Sequence, residues 1–224
     1  ADYARETAIE EGKHVSFLQT ALGKSAVSMP NLDLYNSFNA LASAAGIGSA
    51  FDPFANDAFF LIGAYIFEDV GVSAYGGAAA LISDKKNILP AAVGIHAVEA
   101  YHAGLIRTTI AGVAAAAVFA PVGTLTGLTQ KISAARSMLA NPSGASTTTY
   151  TGTKADDIGV TTTMVALNGS SATFTSSTIV DCDSNSVGWN RSTSQILAIV
   201  TGTSPTARAG QGGFFPNGLN GKIK

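Results

Sequence analysis

Two segments place a glutamate three residues before a histidine: EEGKH, with Glu11 and His14, and VEAYHAGLIR, with Glu99 and His102. The second pair interrupts an Ala-rich apolar run, where an unpaired charge is costly to bury. Three residues along a helix is about one turn, so the members of each pair share a helix face. A carboxylate and an imidazole so placed can hold one metal ion together, through oxygen and nitrogen. If both pairs serve one site, their two helices must pack face to face. The alternatives are two solvated Glu/His faces or a buried, hydrogen-bonded polar network.

A third acidic residue narrows the choice. Glu68 stands in the apolar stretch LIGAYIFEDVGVSAYGG, and its helical face carries Leu61, Tyr65, Val72 and Tyr75. That is a core face, so Glu68 needs a partner or must stay protonated. Asp69 points about 100° away on an ideal helix and is expected to face a loop or solvent. Two Glu-x-x-His helices together with lone glutamates on the other two make the di-iron or di-manganese centre of ferritin-like bundles. The candidate metal ligands are therefore Glu11, His14, Glu68, Glu99 and His102, and the candidate cofactor is one or two Fe or Mn ions. His96, three residues before Glu99, is read as a support behind the ligands or a core residue rather than a ligand. Tyr65, Tyr75 and Tyr101 are read as packing residues. No catalytic residue is assigned: the Gly-rich stretches at 71–77 and 210–213 lack the strand and the phosphate-binding residue of a nucleotide loop.

Hydrophobic periodicity places helices at 1–22, from Asn56-Asp57 to about Ile82, from Pro90 to about Phe119, and from Leu125 to Leu139. A short helix lies within the connection at 24–55, and another runs over 192–200, capped by Ser192 or Thr193. On the first helix Ala4, Ala8, Glu11, Val15 and Leu18 form the inner side. After Asn141-Pro142-Ser143-Gly144 the composition turns to Thr, Ser and Gly, with brief strands expected at 161–167, 172–174 and 179–180. The turn-rich tail, GGFFPNGLNGKIK, is expected to lie over the surface of the helical part. The fold class is mainly α: a helical bundle over 1–140, and a C-terminal extension with short strands over 141–224 packed on it.

Charged residues make up 12% of the chain, about half the usual share of roughly 25%. Its surface must be covered by Ser, Thr, Asn and Gly, by glycans, or by neighbouring subunits. With a net charge of -2 and no basic run, no nucleic-acid partner is expected. Cys182 is the single cysteine, which rules out an intrachain disulfide and a multi-thiolate metal site. Asn168-Gly169-Ser170 and Asn190-Arg191-Ser192 are glycosylation sequons. The longest apolar stretch, Thr108 to Pro121, is shorter than the roughly 20 residues of a membrane span, so a buried helix and no membrane insertion are expected. The chain shows no signal peptide and opens inside a helical pattern, as a processed product would.

The stretches ARETAIEEGKHVSFLQTALG, FDPFANDAFFLIGAYIFEDVGVSAYGGAAALI and AAVGIHAVEAYHAGLIRTTI resemble the desiccation-related, ferritin-like proteins of plants, algae and bacteria. LTQKISAARSML, SVGWNRSTSQILAIVTGT and the tail extend the likeness, which is weaker over 143–180. FEDVGVSAY and VEAYHAGLIR carry it most specifically. The resemblance implies a ferritin-like four-helix bundle with an irregular C-terminal region and a secreted, extracellular or cell-wall location. In that family a first helix bearing its own glutamate precedes the helix that opens this sequence. Its groove is expected to be filled by a homo-oligomeric partner, a neighbouring chain or a cleaved peptide, because an apolar stripe would otherwise face water. Without its glutamate, a single metal or an empty site gains ground. A protective or structural stress protein is the favoured reading, with a vestigial or active metal site and leaning away from an enzyme. The alternative is a di-iron or di-manganese oxidoreductase acting on peroxide or oxygen. Iron storage is disfavoured, because only 15 acidic residues are spread along the chain.

Overall fold

A computed structural model describes residues 2–114, 118–119, 123–141, 157–166, 169, 173–203 and 210–221. Among the described residues six α-helices form the frame: α1 Asp2–Leu22, α2 Leu34–Ala44, α3 Asp57–Ala78, α4 Ile88–Ala114, α5 Leu125–Ala140 and α6 Thr193–Thr201. Two antiparallel pairs complete it, β1 Val118–Phe119 with β2 Gly123–Thr124, and β3 Thr162–Ala166 with β4 Thr173–Ser177. The class is mainly α, as the sequence implies.

Local chemistry explains the helix starts. Asp33, Asn56 and Thr124 each accept a backbone N–H from three residues on, at Asn36, Phe59 and Gly127. Ser192 and Gln195 form a reciprocal capping box at α6. Such caps satisfy donors that the first helical turn leaves unpaired. Pro90 is the third residue of α4 rather than its first; its missing N–H still falls among the unpaired donors. α3 ends at Ala78 in a 3-10 turn, Ala79–Leu81, instead of reaching Ile82. Val118-Phe119 is a strand and not the end of α4. Ile179-Val180, expected as a strand, follows β4 outside any ladder.

The apolar core gathers Phe38 and Leu41 of α2, Ile62 and Tyr65 of α3, Ile106 and Ile110 of α4, and Leu128 and Ile132 of α5. The tail does more than cover the surface. Phe214 is buried in that core, edge-on to Phe38 with ring centroids 5.1 Å apart and to Phe67 at 4.8 Å. By length and composition Asp57–Leu81 could cross a membrane, yet here it carries the buried Glu68 and Asp69 through the middle of the molecule. α1 is held differently from the rest, since it has no buried residue. Ala4, Thr7, Glu11, His14 and Leu18 form its half-buried side, whereas Val15, expected inside, faces outward with Tyr3, Ile9 and Phe17.

Asp69 does not face a loop or solvent; it is buried at 4% exposure. Its Oδ2 lies 3.0 Å from Arg107 of α4 and 3.0 Å from Arg136 of α5. Arg136 also pairs with Asp157 at 2.7 Å, and Asp157 with Arg191 at 2.9 Å. The arginines' remaining donors reach backbone carbonyls: Arg107 those of Ile158, Thr178 and Ile179, Arg136 those of Tyr65 and Ile66. Tyr65 lies under both guanidinium groups and shares a hydrogen bond of 2.6 Å with Ser133. Burying a charge costs several kcal/mol, and removing one partner of such a network leaves that cost uncompensated. Asp157→Ala removes the buried carboxylate that Arg136 and Arg191 share and is expected to cost about 3–5 kcal/mol in urea unfolding. Asp2→Ala, at a side chain 94% exposed, is expected to cost under about 1 kcal/mol in the same measurement.

Candidate metal centre

α1, α3 and α4 bring the five sequence candidates to one place. Glu11 Oε1 lies 3.3 Å from His14 Nδ1 and 3.4 Å from His102 Nδ1. His102 Nδ1 is 3.3 Å from Glu68 Oε2, and His14 Nδ1 is 3.8 Å from Glu99 Oε1. The donors fall into two groups, Glu11 with Glu68 and His102, and Glu11 with His14 and Glu99, the atoms of each within 4.8 Å of one another. Glu11 belongs to both. Glu68, Glu99 and His102 are buried, and Glu11 and His14 half-buried.

Glu11 Oε1, His14 Nδ1, Glu68 Oε2 and His102 Nδ1 are buried without a hydrogen-bond partner. An unsatisfied buried polar atom costs about 1–3 kcal/mol, and here four converge on one space. Cations held by the two groups would satisfy all four. Carboxylate oxygen with imidazole nitrogen is the donor set of iron and manganese sites in helical bundles, so these side chains fit such ions. The acidic group Asp69, Asp157 and Asp181 also has its oxygens within 4.8 Å, but Arg107, Arg136 and Arg191 already supply its positive charge.

Burial sets the electrostatics. It pushes the Glu68 carboxyl from 4.5 to about 7, with the Glu11 charge adding to the rise and His102 opposing it. Burial, the charges of Glu11 and Glu68, and a hydrogen bond shared with Glu68 push Glu99 to about 8. Without a cation the cluster relieves its repulsion by keeping protons. Tyr75, expected only to pack, is close enough for Glu99 and Glu11 to add to the effect of burial, and its hydroxyl rises to about 12.

Two residues of the centre escaped sequence reasoning. Glu10 Oε2 stands 2.6 Å from His102 Nε2, behind the imidazole. Its only sequence signal was its place beside Glu11. Gly71, one turn beyond Glu68, has no side chain because the Glu99 carboxylate occupies that space; a methyl group there would overlap Glu99 Oε2. His96 stands apart from the cluster, lining a cavity of about 190 Å³ with Ser73, Asp181 and Trp189. Asn190 is half-buried, its amide oxygen against Gly76, and Asn168 lies outside the described residues.

A family model described as a ferritin-like domain matches residues 1–112, the span that holds every residue of this cluster. Comparison with curated proteins and with solved structures gives no match.

Two outcomes follow from the geometry. Gly71→Ala displaces Glu99 and is expected to weaken Mn(II) or Fe(II) uptake about tenfold or more, read by equilibrium dialysis, with the helical circular dichroism retained. The second concerns pH. Glu68 and Glu99 hold protons in the folded chain at pH values where the unfolded chain has released them. Stability of the metal-free protein should therefore fall as pH rises from about 4.5 to about 8, as linkage requires. Thermal unfolding in EDTA across that range should show the fall, and the Glu68→Gln, Glu99→Gln double variant should flatten it.

Proposed function

We propose that this chain, which belongs to the ferritin-like domain family, binds a pair of iron or manganese ions in the Glu11, His14, Glu68, Glu99 and His102 cluster. One observation carries the reading: four orphaned buried donor atoms, from three helices, face a common space. Glu68 and His102 would hold one ion and His14 and Glu99 the other, with Glu11 between them. When bound, iron or manganese supplies Lewis acidity and one-electron redox chemistry. Glu68, Glu99 and His102 are buried on α3 and α4, and the Glu68 and Glu99 carboxyls would give up protons as the cluster accepts positive charge.

The setting we propose is a protective, extracellular stress protein of the desiccation-related type, which sequesters redox-active metal. The resemblance carried by FEDVGVSAY and VEAYHAGLIR supports it, as do the low charge and the Ser/Thr-rich C-terminal region. A second reading, an oxidoreductase acting on peroxide or oxygen, is favoured by one feature: Glu11 stands in both groups, so two ions there would be near enough to meet one substrate.

Elemental analysis after Mn(II) or Fe(II) loading is expected to find about two ions per chain. Glu11→Ala should lose both, since it serves both groups, whereas Glu99→Ala should keep the ion held by Glu68 and His102. Wild-type protein that retains neither metal would overturn the proposal.

A further inference from the structure

We infer that Glu10 is a positioning residue that fixes His102 for metal binding and makes the Glu11, Glu68, His102 position the tighter of the two. The inference rests on the proposed metal reading and goes beyond it by ranking the two positions and naming the side chain responsible.

The geometry around the ring carries it. Glu10 Oε2 lies 2.6 Å from His102 Nε2. An ionised carboxylate only accepts hydrogen bonds, so this contact places the ring proton on Nε2. Nδ1 is then a bare lone pair, and it is the nitrogen that faces Glu11 Oε1 at 3.4 Å and Glu68 Oε2 at 3.3 Å. With Glu11 and Glu68 ionised, as ligation requires, all three inner atoms are acceptors, and none of them has a hydrogen-bond partner. Such a set has no stable protein partner and suits a cation. A carboxylate behind a ligating imidazole fixes its tautomer and orientation and raises its basicity.

His14 lacks this arrangement. Its Nδ1 faces Glu11 at 3.3 Å and Glu99 at 3.8 Å, but among the described residues no carboxylate stands within salt-bridge distance of its Nε2. Its side chain is also more exposed, 13% against 6% for His102. Both imidazoles therefore turn Nδ1 inward, and only one is locked from behind. Glu10 and Glu11 are consecutive on α1, so the helix that supplies the shared ligand also supplies the lock. The Glu10 side chain is 37% exposed, so its loss leaves no buried cavity.

The test is a Mn(II) titration of the full chain, followed by electron paramagnetic resonance of free Mn(II) and by calorimetry. Wild-type protein should take up two ions in two resolved steps. Glu10→Ala should weaken the first step about 10- to 100-fold and leave the second within about twofold, with the helical circular dichroism of the metal-free protein retained. Glu10→Gln keeps a hydrogen-bond acceptor without the charge and should restore part of the loss. Glu6→Ala, one turn away on the exposed side of α1, should change neither step. If wild type binds two ions and Glu10→Ala leaves both steps in place, or weakens them equally, the role of Glu10 is overturned while the metal reading stands. If wild type binds no Mn(II), the metal reading fails and this inference with it.

Discussion

The contact between Asp69 and two buried arginines fixes the rotation of α3, and the rest of the molecule is arranged around that rotation. Successive residues on a helix diverge by about 100°. With Asp69 tied to Arg107 of α4 and Arg136 of α5, Glu68 must point elsewhere, and it points toward α1 and the imidazole of His102. Two adjacent acidic residues thus serve two separate charged clusters. One is filled by guanidinium groups of the chain itself. The other has carboxylates and imidazoles with no Lys or Arg among the described residues paired to them, and that difference makes it the candidate for an external cation.

The arginine network also explains how a Thr/Ser/Gly-rich region with few apolar residues stays against the helices. Asp157 reaches Arg136, and Arg191 reaches Asp157. Trp189 and the backbone N–H of Ile158 both donate to Asp181. Arg107 binds the carbonyls of Ile158, Thr178 and Ile179, so irregular backbone gains hydrogen bonds that a sheet would otherwise supply. Phe214 adds the apolar part by entering the core beside Phe38 and Phe67. Glycines make the close approach possible: Gly77 has no room for a side chain beneath the Arg191 backbone.

Most of the helical frame and the five-residue cluster were legible in the sequence, for a physical reason. Helix periodicity is local, so Glu11/His14 and Glu99/His102 announce a shared face within one turn, and an apolar stripe around Glu68 announces a buried one. What failed was long-range. Asp69 finds Arg107 and Arg136 across 38 and 67 residues, and nothing near Asp69 signals that arginines will be buried beside it. Glu10 is hidden by the same local logic that reveals Glu11: it lies about 100° away on the helix, outside the Glu11/His14 face, yet its side chain is long enough to reach His102. Val15 was placed inside by counting apolar residues. It faces out because the inner side of α1 belongs to Glu11 and His14, with Ala4, Thr7 and Leu18 half-buried beside them.

That composition bears on what holds α1 in place. With no buried residue, α1 gains little from apolar area, and its outer side leaves Tyr3, Ile9, Val15 and Phe17 about half exposed. Its polar links to α4 run through the cluster itself, from Glu10 and Glu11 to His102 and from His14 to Glu99. Those links are not self-sufficient, because Glu11, Glu68 and Glu99 repel one another when ionised. Protons held on Glu68 and Glu99 relieve the repulsion below about pH 7 to 8. A divalent ion bound as proposed would relieve it at higher pH and convert the repelling carboxylates into ligands of a common charge. Binding energy at a site formed only in the folded arrangement is also folding energy. On the proposed metal reading, the centre would therefore be as much the means by which α1 is joined to the bundle as a place where α1 contributes ligands.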